Sequence, residues 1–359
     1  MNNFEINGRI GEGAHGYVMK GVDKRTGREV ALKKLIIKNL DEGIPKHIMR
    51  EMLALRVLKF KYIVELYDII PHGMGIILAM EFLPSSLYDL LKDETPISPS
   101  QIKTYMKMLL MGLKYMHSKS LMHRVSDKPL LYVYIIFKSI FLKQDIKPAN
   151  LLIAADGVLK IADLGLARIF MKNQERQYSH QVATRWYRAP ELLYGSRNYT
   201  PSIDIWAFGC IMAEMIKRMP LFAGETDIEQ LAIVLHTLGT PNESTWPGLK
   251  NLPDFNKITF KFSPGLDWKE IVPNASPDAV DLIKTCVQYN DKNRPSAEDA
   301  LKHEYFFRSP STCSMKNMPK PKDIKTDWQS PEWDKFDEDF SDLSLKYQKD
   351  IIREINEST

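Results

Sequence analysis

Residues 145–152 read DIKPANLL and residues 163–165 read DLG, and the spacing of side chains in these two stretches decides how the rest of the chain is read. Each stretch carries a carboxylate, Asp145 and Asp163; the first adds the ammonium of Lys147 and the carboxamide of Asn150. Hard oxygen donors in small number suit Mg²⁺, which takes one or two protein ligands and completes its shell from water and phosphate oxygens. Asn150 and Asp163 are therefore the metal-ligand candidates.

Working outward from there, the segment Ile10 to Val18 reads IGEGAHGYV, with Gly11, Gly13 and Gly16 in the spacing G-x-G-x-x-G. Dinucleotide-binding folds use the same spacing, but there the glycines open a helix. Here they lie inside a β-hairpin and are followed by Val30-Ala31-Leu32-Lys33 on the next strand, so a dinucleotide-dependent oxidoreductase does not fit. Glycine lets the backbone lie close over phosphates, with Glu12, Ala14, His15 and Tyr17 completing the loop, and Lys33 supplies a fixed positive charge for their oxygens. Glu51, on the helix that follows, is placed to reach Lys33 and hold its ammonium. Taken together these groups answer the needs of phosphoryl transfer. Asp145 fits the base that orients a hydroxyl and accepts its proton, and Lys147 fits the cation that neutralises the transferring phosphate.

The same outward reading orders the chain. Residues 4–34 read as a β meander, and from Pro45 the period changes: Ile48, Met52 and Leu55 repeat at helical spacing, with Pro45 suited to the first turn. IVELYDII and GMGIILAMEFL read as two further strands, and the polar break at Pro84, Ser85 and Ser86 reads as a hinge. Beyond it Ser98, Pro99 and Gln101 spell an N-cap, N1 and N3 capping box, and Ile102, Met106, Leu109, Leu113 and Met116 mark one buried stripe. Helices are expected around DIWAFGCIMAEMI and SPDAVDLIKTCV. The expectation is an α+β, bilobal fold: a small β-rich lobe over residues 4–82 and a larger helical lobe over 83–307. A basic, then acidic and aromatic stretch over 308–359 reads as a tail outside the fold.

With 44% hydrophobic and 26% charged residues among 359, the composition is globular, and a net charge of +4 argues against a nucleic-acid coat or a polybasic membrane surface. The three cysteines, Cys210, Cys286 and Cys313, are far apart and have no zinc spacing, which fits a reducing compartment. MNNFEINGRIG has no basic and apolar leader pattern, so the cytoplasm and nucleus are the expected location. The apolar run Leu130 to Leu142 is broken by Lys138 and falls short of the roughly 20 residues that a membrane span needs, so no membrane partner is expected.

These motifs resemble the cyclin-dependent branch of the eukaryotic serine/threonine protein kinases, most closely its cell-cycle-related members, over about residues 4–307. The resemblance also rests on WYRAPE at 186–191, Asp204-Ile205-Trp206, PLFAGETDIEQL, LGTPNESTWPGL and Arg294 in DKNRPSAEDAL. It implies the bilobal kinase fold, with ATP and Mg²⁺ in the cleft. It implies that Glu191 and Arg294 form a buried ion pair and that Asp204 braces the catalytic loop. It also implies that Met80 is the gatekeeper, that Glu81 and Leu83 offer hinge backbone groups to adenine, and that Ser179 is an activating phosphosite gathered by Arg50, Arg124 and Arg168. An upstream kinase would phosphorylate Ser179. Ala183 and Arg188 match the surface that favours proline after the phosphoacceptor, so the implied substrates are proteins carrying Ser/Thr-Pro, in cell-cycle or ciliary control. The resemblance implies a cyclin or another activating subunit as partner, but the helix segment GIPKHIMREM lacks the cyclin-contact sequence of the best-known members, which counts against a cyclin.

One departure is large. His123-Arg124 should run directly into Asp145, yet residues 125–144, VSDKPLLYVYIIFKSIFLKQ, intervene, and their removal restores HRDIKPANLL. The stretch is rich in Ile, Phe, Tyr, Lys and Leu, types favoured by A/T-rich codons. It begins Val-Ser, encodable as GTAAGT, and ends in Gln, encodable as CAG, so it reads as translated intron. If the stretch is retained, the alternative function is a catalytically impaired kinase-fold scaffold.

Overall fold

The computed structural model describes residues 3–13, 16–37, 44–73, 75–122, 146–162, 185–196 and 200–321. The chain opens with β1 (Phe4–Gly13), β2 (Gly16–Asp23) and β3 (Arg28–Ile36), followed by α1 (Lys46–Val57), β4 (Leu66–Pro71) and β5 (Gly75–Glu81). These five strands form one antiparallel sheet in the order β1-β2-β3-β5-β4. Alternation along β3 sorts its side chains by face. Val30 and Leu32 join Phe4, Met19, Ile77 and Ala79 in a small cluster on one side. Leu35 and Leu78 pack on the other side with Ile48 and Met52 of α1. Pro45 occupies the N-cap of α1 with no side-chain cap, one residue before the first turn, where proline's lost N–H costs nothing.

The polar break is more ordered than a plain hinge loop. Ser85–Ser86 form the short strand β6, and Ser86 caps α2 (Leu87–Lys92) in a reciprocal box with Asp89. α3 (Pro99–Met122) begins as expected: Ser98 N–H donates to Gln101 Oε1 at 2.8 Å and Gln101 N–H to Ser98 Oγ at 3.3 Å. Its stripe Ile102, Met106, Leu109, Leu113 and Met116 is buried throughout. A 3₁₀ turn at Pro148–Asn150 leads into β7 (Leu151–Ile153) and β8 (Leu159–Ile161), which extend β6 to a second sheet. The helical remainder holds α4 (Pro190–Leu193), α5 (Ser202–Lys217), α6 (Asp227–Leu238), α7 (Trp268–Ile271), α8 (Pro277–Cys286) and α9 (Ala297–Ala300). Every residue of α5 from Ile203 to Met215 is buried, which makes it the central post of the larger lobe.

The two lobes are joined by backbone as well as by the connecting strand. Val64 N–H donates to Ile161 O at 3.0 Å and Ile161 N–H to Tyr62 O at 2.9 Å, so β8 of the helical lobe bonds the segment that leads into β4.

The expectation of a tail outside the fold from residue 308 gives way over its first part. Residues 308–321 run back along α3: Lys103 Nζ donates to Arg308 O at 2.7 Å, Cys313 N–H to Thr104 Oγ1 at 2.9 Å and Gln101 Nε2 to Asn317 O at 2.7 Å. Met318 is buried where a side chain at Gly157 would come within 2.7 Å of it. The reason is local: Cys313 and Met318 supply apolar anchors, and the buried Lys103 ammonium, facing the Tyr305 ring at 4.5 Å, needs the carbonyl that this stretch provides. Among the described residues no helix is long and apolar enough to cross a membrane. The apolar run Leu130 to Leu142 lies outside the described residues.

Candidate active site

The strand register assembles the nucleotide candidates on one face. Val18 of β2 and Leu78 of β5 flank Lys33, and Met80 stands opposite Ala31. α1, seated by Ile48, Met52 and Leu55, delivers Glu51 to the same face. Lys33 Nζ lies 2.7 Å from Glu51 Oε1, with the Glu51 side chain 2% exposed and that of Lys33 15%. A carboxylate so deeply removed from water requires a cation, and the pair fixes where the Lys33 ammonium stands.

At the β1–β2 turn Gly16 is obligatory, because its φ is +151° and a Cβ there would lie 1.8 Å from Lys34 O. Gly11 is different. Among the described residues a Cβ at this position would meet nothing nearer than Val18 Cβ at 3.9 Å, an ordinary contact, so none of them demands glycine there. Ile10 and Tyr17 are half-buried on either side of the turn, with the Arg9 guanidinium 5.3 Å from the Tyr17 ring centroid. Ala14 and His15 lie outside the described residues, as does the side chain of Glu12. At the connection between lobes Leu83 is buried, and Glu81 pairs through its side chain with Lys160 of β8 at 2.6 Å.

The catalytic turn is held from both ends. Lys147 caps the 3₁₀ turn, Asn150 N–H donates to Lys147 O at 2.9 Å, and Ala162 N–H donates to Asn150 O at 2.9 Å. With Leu151 paired to Ile161, this bond ties the end of the 3₁₀ turn to Ala162, at the edge of the described stretch. Asp145 and Asp163 lie outside the described residues, as do Arg124, Arg168, Ser179, Ala183 and the stretch 125–144; of Arg50 the side chain is not described. Among the described residues no group of three His, Cys, Asp or Glu side chains gathers as a metal site.

The helical lobe carries further polar contacts, some of them buried. Arg294 grips Glu191 through two bonds, Nη1 to Oε1 at 2.7 Å and Nη2 to Oε2 at 2.8 Å, and its guanidinium lies 5.0 Å from the Trp206 ring centroid. His117 of α3 meets Asp204 Oδ2 at 2.8 Å, and Asp204 Oδ1 is buried without a partner among the described residues. Burial raises the Asp204 carboxyl above its ordinary pKa, and the hydrogen bond from His117 opposes that shift. Arg185 Nε and Arg188 Nη1 converge on the same oxygen, Asp227 Oδ1, at 2.8 and 2.9 Å. The Arg188 that sequence reading singled out is thus held together with a second arginine and an aspartate that it did not.

Tyr187 donates its hydroxyl to Glu214 Oε2 at 2.7 Å inside the lobe. Burial pushes the Glu214 carboxyl up to about 7, against the opposing hydrogen bond from Tyr187 and the charge of Lys217. A carboxyl whose folded pKa is raised stabilises the fold most below its unfolded pKa, and that contribution is lost as pH rises through about 7. Glu214→Gln keeps the acceptor for Tyr187 and removes the titration. It is expected to flatten stability between pH 5 and 8, with a gain on the order of 3 kcal/mol over the native chain at the alkaline end. Denaturant unfolding across that range checks it, and parallel pH curves for the two proteins would refute it.

Asp227, Glu214, His117 and Lys160 carried no signal in the sequence. Each reads as an ordinary surface charge or histidine until the fold gives it a partner.

The fold and this site define a protein kinase. The chain belongs to the protein kinase domain family, which it matches over residues 4–125 and 130–306, a match that breaks inside the stretch 125–144. Within that family it is a serine/threonine kinase of the cyclin-dependent type. It is 48% identical over 323 residues to Cyclin-dependent kinase 20 of Danio rerio, covering 89% of this chain and 88% of that one. The human Cyclin-dependent kinase 20 is 45% identical over the same shares. Cyclin-dependent kinase D-1 of Oryza sativa subsp. japonica is 40% identical over 313 residues, 87% of this chain and 68% of that one.

Proposed function

We propose that the chain transfers the γ-phosphate of ATP to serine or threonine followed by proline in protein substrates. The observation that carries the reading is the Lys33–Glu51 pair at 2.7 Å under the glycine turn, on the sheet face that also holds Ala31 and Met80. Lys33 binds phosphate oxygens, the backbone of Glu81 and Leu83 takes adenine, and Gly11 leaves room for the phosphates. Asp145 orients the acceptor hydroxyl and takes its proton, while Lys147 neutralises charge on the phosphoryl group. Mg²⁺ held by Asn150 and Asp163 supplies charge neutralisation across the phosphates.

Regulation follows the same family logic. Ser179 is phosphorylated by an upstream kinase, its phosphate gathered by Arg50, Arg124 and Arg168. A cyclin or another activating subunit is the partner that the name of the cyclin-dependent relatives supports. The setting is cell-cycle or ciliary control in the cytoplasm, nucleus and cilium. The stretch 125–144 favours a second reading for a chain that retains it, an impaired kinase-fold scaffold.

The test is radiolabelled phosphate transfer to matched Ser-Pro and Ser-Ala peptides, by the full chain and by a form lacking residues 125–144. Preference for Ser-Pro is expected in whichever form is active, and Arg188→Ala is expected to reduce that preference by roughly ten-fold, the worth of about 1.4 kcal/mol in the transition state. Equal use of the two peptides would remove the proline-directed reading. Absence of transfer from both forms even after Ser179 phosphorylation would bring an obligate activating partner or the scaffold reading to the front.

A further inference from the structure

We infer that Lys160 is a positioning residue for the nucleotide: it clamps the hinge so that the backbone of Glu81 and Leu83 faces adenine. The inference rests on the proposed adenine contact, and nothing in the motifs of the sequence points to Lys160.

Lys160 Nζ donates to both oxygens of Glu81, at 2.7 and 2.6 Å, and the two side chains are only 15% and 20% exposed. The two ends of this pair belong to different lobes. Glu81 is the last residue of β5, paired with Val30 of β3, and its N–H is committed to Glu65 O at 2.9 Å. Lys160 lies on β8, paired with Leu152, and its neighbour Ile161 makes the two backbone bonds to Tyr62 and Val64. The ammonium is therefore a fixed point of the helical lobe's small sheet.

Between these anchors the chain crosses residues 82–84 before β6, where Ser85 pairs with Ile153. A connection that short takes its path from its ends. At one end the Glu81 carboxylate is gripped by Lys160 and also accepts from Glu65 N–H at 3.4 Å. From the small lobe, Lys20 Nζ covers the Phe82 ring at 4.4 Å. An exposed lysine–glutamate pair would contribute little, but here one ammonium meets both carboxylate oxygens with both side chains mostly withdrawn from water, where the attraction is screened less. Loss of the clamp frees the end of β5 to shift, and a shift there misplaces the groups that adenine needs.

The test uses the purified full chain and titration calorimetry with two probes, ADP and inorganic triphosphate. ADP depends on the hinge and the glycine turn, whereas triphosphate depends on the turn and Lys33 alone. Lys160→Met and, from the other side, Glu81→Gln are each expected to weaken ADP about five- to ten-fold, the size of a pairwise coupling between contacting groups. Triphosphate binding should be unchanged. The swapped pair Glu81→Lys with Lys160→Glu should recover most of the ADP affinity, and because it retains both charges it tests the idea even if a single variant folds badly. Unchanged ADP affinity in the variants, or equal loss of ADP and triphosphate, overturns the clamp while leaving the nucleotide site standing. If the native chain binds neither probe, the nucleotide reading falls and the clamp falls with it.

Discussion

Removal of residues 125–144 is expected to raise phosphate transfer by about 10²-fold or more, because misplacement near 1 Å in a catalytic array costs that much. α3 ends at Met122, and the described chain resumes at the buried Ile146, directly before the 3₁₀ turn that holds Lys147 and Asn150. In the shortened form Arg124 precedes Asp145 immediately, and the base is tethered from both sides. Asp145→Asn in that form should return the rate to near background, since a positioned base contributes about 10²–10⁴-fold. The two results together separate restored catalysis from restored solubility, because the asparagine variant keeps the shape of the loop. Equal turnover by full and shortened chains would show that the insertion is tolerated. Transcript sequencing in which Arg124 and Asp145 codons are never joined would dismiss the intron reading.

The second large effect is on stability. Arg294→Met leaves Glu191 buried opposite an apolar side chain, and breaking a buried pair from one side costs about 3–5 kcal/mol. The guanidinium is fully enclosed, bonds Glu191 twice and also donates to Gln288 O at 2.8 Å and to Ser202 O and Tyr289 O at 3.3 Å, so three carbonyls lose a donor as well. Thermal and denaturant unfolding should show the loss, and the double variant Glu191→Leu with Arg294→Met should lose clearly less than the sum of the singles. A midpoint close to native for Arg294→Met would mean that water or a neighbouring cation reaches Glu191.

Much of the architecture was legible in the linear pattern. The hydrophobic stripe of α3, its Ser98–Gln101 capping box and the change of period at Pro45 are local signals, and local signals survive without tertiary context. The tail boundary at residue 308 was misplaced because Cys313 and Met318 are isolated apolar residues in a polar stretch, and only the groove on α3 gives them something to bury against. Within the candidate site, Lys33, Glu51, Asn150 and Lys147 were singled out by spacing, because phosphoryl chemistry restricts both residue type and separation, and the structure pairs Lys33 with Glu51. Asp227 was missed, since an aspartate in the first turn of a helix reads as a favourable dipole partner and nothing more.

By itself, then, the sequence determined which chemistry the chain is built for: a glycine turn, a strand lysine and two carboxylate motifs in a fixed order. It also determined the helices and strands whose periodicity and caps lie within a few residues. Only the tertiary structure decided which charges meet. Lys33 and Glu51, Arg294 and Glu191, Glu81 and Lys160 are each far apart along the chain, and their pairing depends on helix placement and strand register. The physical reason is that an ionic side chain costs little in water and a great deal when buried, and the sequence alone does not say which of the two environments it will occupy.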